Sequence, residues 1–224
     1  MIIVIEGGDQ AGKKTQTALL AKALKQRKIK TTTFSFPDYK TPIGKEISKY
    51  LNGKRKFPPQ VIHCLLAANR WEKLNEILAA ESKNSIVIMN RYYHSNLIYG
   101  LANGMKSEWL KNLDNGLPKS DLVILLDVTQ SESFRRKKTN RDKFEKNEEF
   151  LRNISKIYRT IAKKEHWKII DASKSKQEVH ENILKVIDDQ ELRAQLGRKG
   201  IKRSKMFSWD KHASRVADIY KAIK

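Results

Sequence analysis

The stretch "IEGGDQAGKKTQ", Ile5 to Gln16, decides how this chain is read. It follows the apolar run "IIVI", Ile2 to Ile5, which reads as a buried strand, and it leads into "KTQTALLAKALKQ", whose apolar residues recur three or four apart as in a helix. From Gly7 to Lys13 the spacing G-x-x-x-x-G-K is intact. Glycines let backbone N–H groups close around phosphate oxygens, the following helix adds its positive end, and the lysine reaches the β and γ phosphates. Gly7, Gly8, Asp9, Gln10, Ala11, Gly12 and Lys13 are therefore candidate nucleotide-binding residues; a bare glycine turn joining strand to helix is the lesser reading. Where such loops carry a serine or threonine for magnesium, this one carries Lys14. Thr15 is no obvious substitute, because one step along a helix turns the side chain by about 100°, yet both belong to the same candidate set.

Further short apolar runs recur: "TTTFSF" from Thr31, "SIVIMN" from Ser85, "DLVILLDV" from Asp121 and "WKIID" from Trp167. Alternating with helical patterns such as "ANRWEKLNEILAAE", they predict an α/β fold of the P-loop three-layer type, a central parallel sheet of about five strands flanked by helices. The texture changes after Val186. Residues 1–187 read as the P-loop domain and 188–224 as a basic helical extension, two short helices hinged near Gly200 and "FSWD", with Asp210 or Ser208 capping the second.

Hydrophobic residues at 39% and four tryptophans exclude wholesale disorder, and 46 Lys+Arg against 25 Asp+Glu give +21, which attracts polyanions. Without an aromatic-interleaved basic stripe, nucleic acid is the weaker candidate partner. The five histidines lack the paired spacing that chelates a metal. Cys64, the one cysteine, lies in "VIHCLLAANR" and reads as a small buried hydrophobe; a reducing cytoplasm is the expected compartment. The run Ile2 to Ile5 is too short for a signal peptide or a membrane span, so no membrane association is expected.

Downstream, "VIHCLLAANRWEKL", "VIMNRYYHSNLIYG", "NGLPKSDLVILLDV", "RDKFEKN" and "IIDASKSKQEVHENI" follow the order and spacing of thymidylate kinases, and the chain resembles that family over about residues 1 to 187. The resemblance implies ATP as phosphate donor, dTMP as acceptor, magnesium as cofactor and a homodimer. It also implies roles. Asp9 approaches the acceptor sugar; Arg70 binds its phosphate and base edge, where a planar fork donates two parallel hydrogen bonds. A helical salt bridge from Arg70 to a neighbouring acid is the lesser reading. Arg91 sits between donor and acceptor phosphates, while Ser95, Asn96 and Tyr99 line the base and sugar pocket, Tyr99 crowding out a ribose 2′-hydroxyl. Tyr92 and Tyr93 are read as packing residues. Phe36 and Pro37 fall near the acceptor, and Ala172, Ser173 and Lys174 border the adenine. The cations Arg135, Arg136, Lys137, Lys138 and Arg141 belong to a mobile lid of about residues 133–148. Some family members carry an arginine where this chain has Gln10, so the lid must supply the catalytic cation, Arg136 and Arg141 first. The tail resembles the closing helices of nucleotide-sugar glycosyltransferases but is too short to bring their catalytic domains.

Three departures from the family pattern bear on function: Lys14 for the hydroxyl residue, Asn90 for the aspartate of D-R-Y, and Leu66 where a phenylalanine commonly stacks on thymine. With both usual oxygen ligands gone, the metal ligands stay unassigned, and magnesium is expected to shift toward the ATP phosphates and the remaining acids, Glu6 and Asp9 among them. The leading expectation is a kinase of dTMP. The alternatives are an altered acceptor such as dUMP, or an impaired nucleotide-binding protein with nucleic-acid affinity.

Overall fold

The computed structural model describes residues 1–83, 85–129, 132, 135–136 and 148–189. Arg141, Lys137, Lys138 and most of the lid, and the tail from residue 190 with Ser208 and Asp210, lie outside the described residues. The chain divides into two compact units, Met1–Leu184 and Lys185–Lys224, and the sheet and candidate site lie in the first.

Five parallel strands, β1 (Ile2–Gly7), β2 (Thr31–Ser35), β3 (Ile86–Asn90), β4 (Leu122–Asp127) and β5 (Lys168–Asp171), form one sheet in the order β2-β3-β1-β4-β5. Helices cover its faces, which is why the central strands are almost wholly apolar: every residue of β1 is buried. β2, at the edge, is only partly buried and spells TTTFS. The helices are α1 (Lys13–Gln26), α2 (Pro42–Leu51), α3 (Pro59–Trp71), α4 (Leu74–Ser82), α5 (Tyr93–Ala102), α6 (Ser107–Leu113), α7 (Glu148–Lys164) and α8 (Lys176–Asp188). On one face Ile2, Val4, Val87 and Met89 pack with Phe36, Ile77 and Tyr92, and further along the same face Leu151, Ile154 and Tyr158 of α7 close on Ile98, Tyr99 and Leu125. From β1 the chain first builds β2 and β3 on one side and then crosses to β4 and β5 on the other, so strand order reverses at β1. Ligand crevices open at such switch points, beyond the carboxyl ends of the strands.

Two expectations need correction. "ANRWEKLNEILAAE" is two helices, because α3 ends at Trp71 and Lys73, at φ −99° and ψ 4°, starts α4. The Lys73 N–H bonds Arg70 O three residues back, a single tightened turn that leaves the apolar spacing intact and hence invisible in the pattern. Cys64 is exposed, not buried. α3 is apolar nearly all round, so its spacing does not choose a face; the buried face carries Ile62, Ala67 and the polar His63, Asn69 and Arg70, while Val61, Cys64 and Trp71 face out. Among the described residues, no helix is long and apolar enough to cross a membrane.

Candidate active site

The donor loop is made of backbone. Gly7, at φ 149°, passes so close to β4 that a Cβ there would stand 2.5 Å from Leu126 O, and Gly12, at φ 86°, precedes α1 in a left-handed conformation. No side chain caps α1, and no acid lies in its first turn; instead Lys13 and Lys14 begin the helix. Two cations against the positive end of a helix dipole are unfavourable unless an anion sits there, which is the electrostatic signature of a phosphate site. Lys13 is buried and its Nζ donates to Gly8 O, so the ammonium is folded back over the loop. Lys14 and Thr15 are exposed on the first turn.

Beside the loop a cavity of about 130 Å³ opens, lined by Asp9, Phe36, Pro37, Leu66, Arg70 and Arg91 together with Ser95, Asn96 and Tyr99. The sequence thus names nine of its walls, although they come from the loop, the segment after β2, α3, the end of β3 and α5. It misses Tyr39, Leu51 and the cavity face of Tyr92. Tyr92 also packs as expected, fully buried with its hydroxyl on Pro118 O.

At the cavity floor the side chains are already paired. Arg91, held at φ 63°, donates through Nη2 to Asp9 Oδ1 and through Nη1 to Ser95 Oγ at 3.0 Å, and its guanidinium lies 5.5 Å over the Tyr99 ring. The Tyr99 hydroxyl donates to Asp9 Oδ2 at 2.9 Å. Burial, and then the Asp9 carboxylate, push the Tyr99 phenol well up, which keeps it a donor.

Glu6 contradicts its expected role as a metal ligand. It is fully buried in β1, and its carboxylate accepts from the Tyr92 and Ser95 N–H groups, the Ser95 hydroxyl and the Tyr158 hydroxyl. The N-cap of α5, Tyr92, makes no side-chain cap bond, so Glu6 caps that helix from the neighbouring strand β1. Asp9 is likewise committed to Arg91 and Tyr99. Among the described residues no cluster of three or more His, Cys, Asp or Glu side chains could hold a metal. Asn90 donates to Ser35 Oγ at 3.1 Å and keeps one buried, unpartnered oxygen, Oδ1. One neutral amide oxygen, with an exposed lysine at the loop's hydroxyl position, does not fit a magnesium ion held by the protein.

Two further residues sit differently from expectation. The polar end of Asn96 turns away to α3, where Oδ1 meets His63 Nδ1 at 2.6 Å and Nδ2 donates to His63 O; burial lowers the His63 pKa, so a neutral ring is the partner. The Nε and Nη2 of Arg70 donate to Asp114, at 2.8 and 2.9 Å, leaving only the far end of the fork for a ligand. Of the lid, Arg136 donates to Gln10 O at 3.3 Å and to Ala172 O at 2.7 Å, while Glu132 accepts from its Nε. It therefore ties the donor loop to the segment after β5. There Ala172 is buried, whereas Ser173 and Lys174 are exposed and Ser173 folds back on Asp171.

Residues 5–183 match the family model for thymidylate kinase. The chain is 36% identical over 192 residues to the thymidylate kinase of Schizosaccharomyces pombe, covering 84% of this chain and 91% of that one. It is 34% identical over 191 residues to the human thymidylate kinase, covering 84% and 90%. Its fold matches the solved structure of a Candida albicans thymidylate kinase, described as having broad substrate specificity, with a TM-score of 0.76 at 29% identity over 85% of this chain and 92% of that one.

Proposed function

The chain belongs to the thymidylate kinase family, and from that premise we propose that it passes the γ-phosphate of ATP to dTMP, giving dTDP and ADP. The observation that carries the reading is the Asp9–Arg91–Tyr99 group, which joins the donor loop to the acceptor cavity. Phosphoryl transfer asks a protein mainly to align two anions and stabilise the charge between them. Lys13 and the loop N–H groups hold the donor. Arg91 stands where both phosphates converge, its charge balanced by Asp9 until the acceptor arrives. Tyr99 walls the sugar end against a 2′-hydroxyl, and Arg136, across the loop and Ala172, closes the adenine end.

Any magnesium would be held by the triphosphate rather than by these side chains, and Lys14 would add positive charge at the loop in place of a hydroxyl ligand. The cavity wall at Leu66 is aliphatic, which covers a pyrimidine face by contact without aromatic stacking and supports dUMP as a second acceptor. Val61, Cys64 and Trp71 form an exposed stripe on α3, which supports a homodimer; sedimentation across a concentration series tests it.

The deciding experiment follows product from ATP, magnesium and either dTMP or dUMP beside a Lys13→Ala control. dTDP that disappears in the control is the expected result. Bound ATP with no product from either acceptor would overturn the proposal and leave a binding protein.

A further inference from the structure

The most enclosed ion pair among the described residues joins positions 44 apart in sequence: Arg70 and Asp114, with side chains 3% and 6% exposed. Both Asp114 oxygens are used, one on Nε and one on Nη2, so the side-on edge of the guanidinium is filled. A guanidinium is a rigid plane with five N–H donors, and fixing one edge fixes where the others point. Arg70 also lines the acceptor cavity, so the edge left for a ligand is its Nη1–Nη2 end.

Asp114 is itself held. It ends α6, where its N–H bonds Lys111 O and its carbonyl accepts from Leu117 N–H. The neighbouring Leu113 O accepts from Trp71 Nε1 at 2.8 Å, and Gly116, at φ 106°, lies so close to that indole that a Cβ would stand 3.0 Å from it. The turn carrying Asp114 is thus clamped to the residue that follows Arg70.

We propose that Asp114 is a positioning residue of the acceptor cavity: it presents the Nη1–Nη2 end of Arg70 to the acceptor and cancels most of its charge. This rests on the kinase reading above. A charge-cancelled arginine discriminates by the direction of its N–H groups, so its contribution depends on being aimed, and Asp114 does the aiming. A merely structural ion pair would instead support both substrates equally.

The test is steady-state kinetics on the full chain with both substrates varied, using Asp114→Asn, whose amide cannot accept both N–H groups. The expected result is a KM for dTMP raised about tenfold or more, the loss of one charge-assisted hydrogen bond, with KM for ATP and kcat nearly unchanged. Should that variant fail to fold, Trp71→Phe keeps the ring but removes the bond to Leu113 O, and a rise of about threefold confined to the KM for dTMP is expected. An unchanged KM for dTMP in a folded variant, or equal losses for both substrates, overturns the proposal. Wild-type dTDP formation is the control: its absence sinks the kinase reading, whereas its presence with an indifferent variant sinks only the role of Asp114.

Discussion

Around Asp9 two kinds of binding surface meet. On the donor side the walls are backbone, with glycines at 7 and 12 in left-handed or closely packed conformations and a helix N-terminus left uncapped by side chains. On the acceptor side the walls are side chains that hold one another: Arg91 on Asp9, Tyr99 on Asp9, Arg70 on Asp114 and Asn96 on His63. A backbone site is specified by local sequence and stands ready for any triphosphate. A side-chain site depends on partners brought from afar, so its geometry and selectivity are set by tertiary structure.

The largest effect is expected at Lys13. Lys13→Ala should lower kcat for dTDP formation by about a thousandfold, the usual size for one group that stabilises transferring charge; a fall below tenfold would mean that the loop N–H groups alone suffice.

On the acceptor side the largest effect should be on the fold. Glu6→Gln keeps the shape but points an amide NH₂ at two of the four donors, and chemical denaturation should show a loss of about 3 kcal/mol. An unchanged stability would mean that a single amide oxygen is enough to cap α5 from β1.

A pH titration sharpens the same contrast. Burial, which outweighs the favourable Glu6 charge, lowers the pKa of His94 on α5 from 6.5 to about 4, and its Nδ1 has no partner. Between those values the unfolded chain binds a proton that the folded chain does not, so stability falls as pH drops from 6.5 to 4, by about 3 kcal/mol at the lower end. Burial depresses His63 in the same direction. His94→Phe should flatten the curve; an unaltered pH dependence of denaturation would remove His94 from the account. The smallest effect belongs to the aliphatic wall. Leu66→Phe should lower the KM for dTMP by about fivefold, since aromatic stacking adds roughly 1 kcal/mol, and no change would mean that the base lies elsewhere.

What was legible in the sequence follows the same division. Five apolar runs at βαβ spacing gave the parallel sheet, because strands covered on both faces must be apolar throughout. The donor loop was legible because its glycines and Lys13 lie within seven residues. The acceptor residues were named only through the family likeness, and their partners were not. Asp114 lies in a polar turn, "LDNGLP", and nothing local marks it as the counter-ion of Arg70. His63 was only one of five histidines without chelating spacing, and Glu6 was one of the acids left as candidates for the metal. Strand alternation could have warned against that reading. Glu6 points to the side of the sheet where α5 and α7 pack, and a carboxylate there must be satisfied by donors of the fold.

Glu6 also bears on the order in which the molecule assembles. The first turn of α5 has no local cap, and the acceptor that satisfies its Tyr92 and Ser95 N–H groups lies 86 and 89 residues earlier in the chain. Such a contact forms only after a long loop has closed, at an entropic cost that falls late on the folding path. The helix that carries Ser95, Asn96 and Tyr99 is therefore completed only once β1 is seated in the sheet, and chains that have formed isolated helices without that strand lack the cavity those residues line.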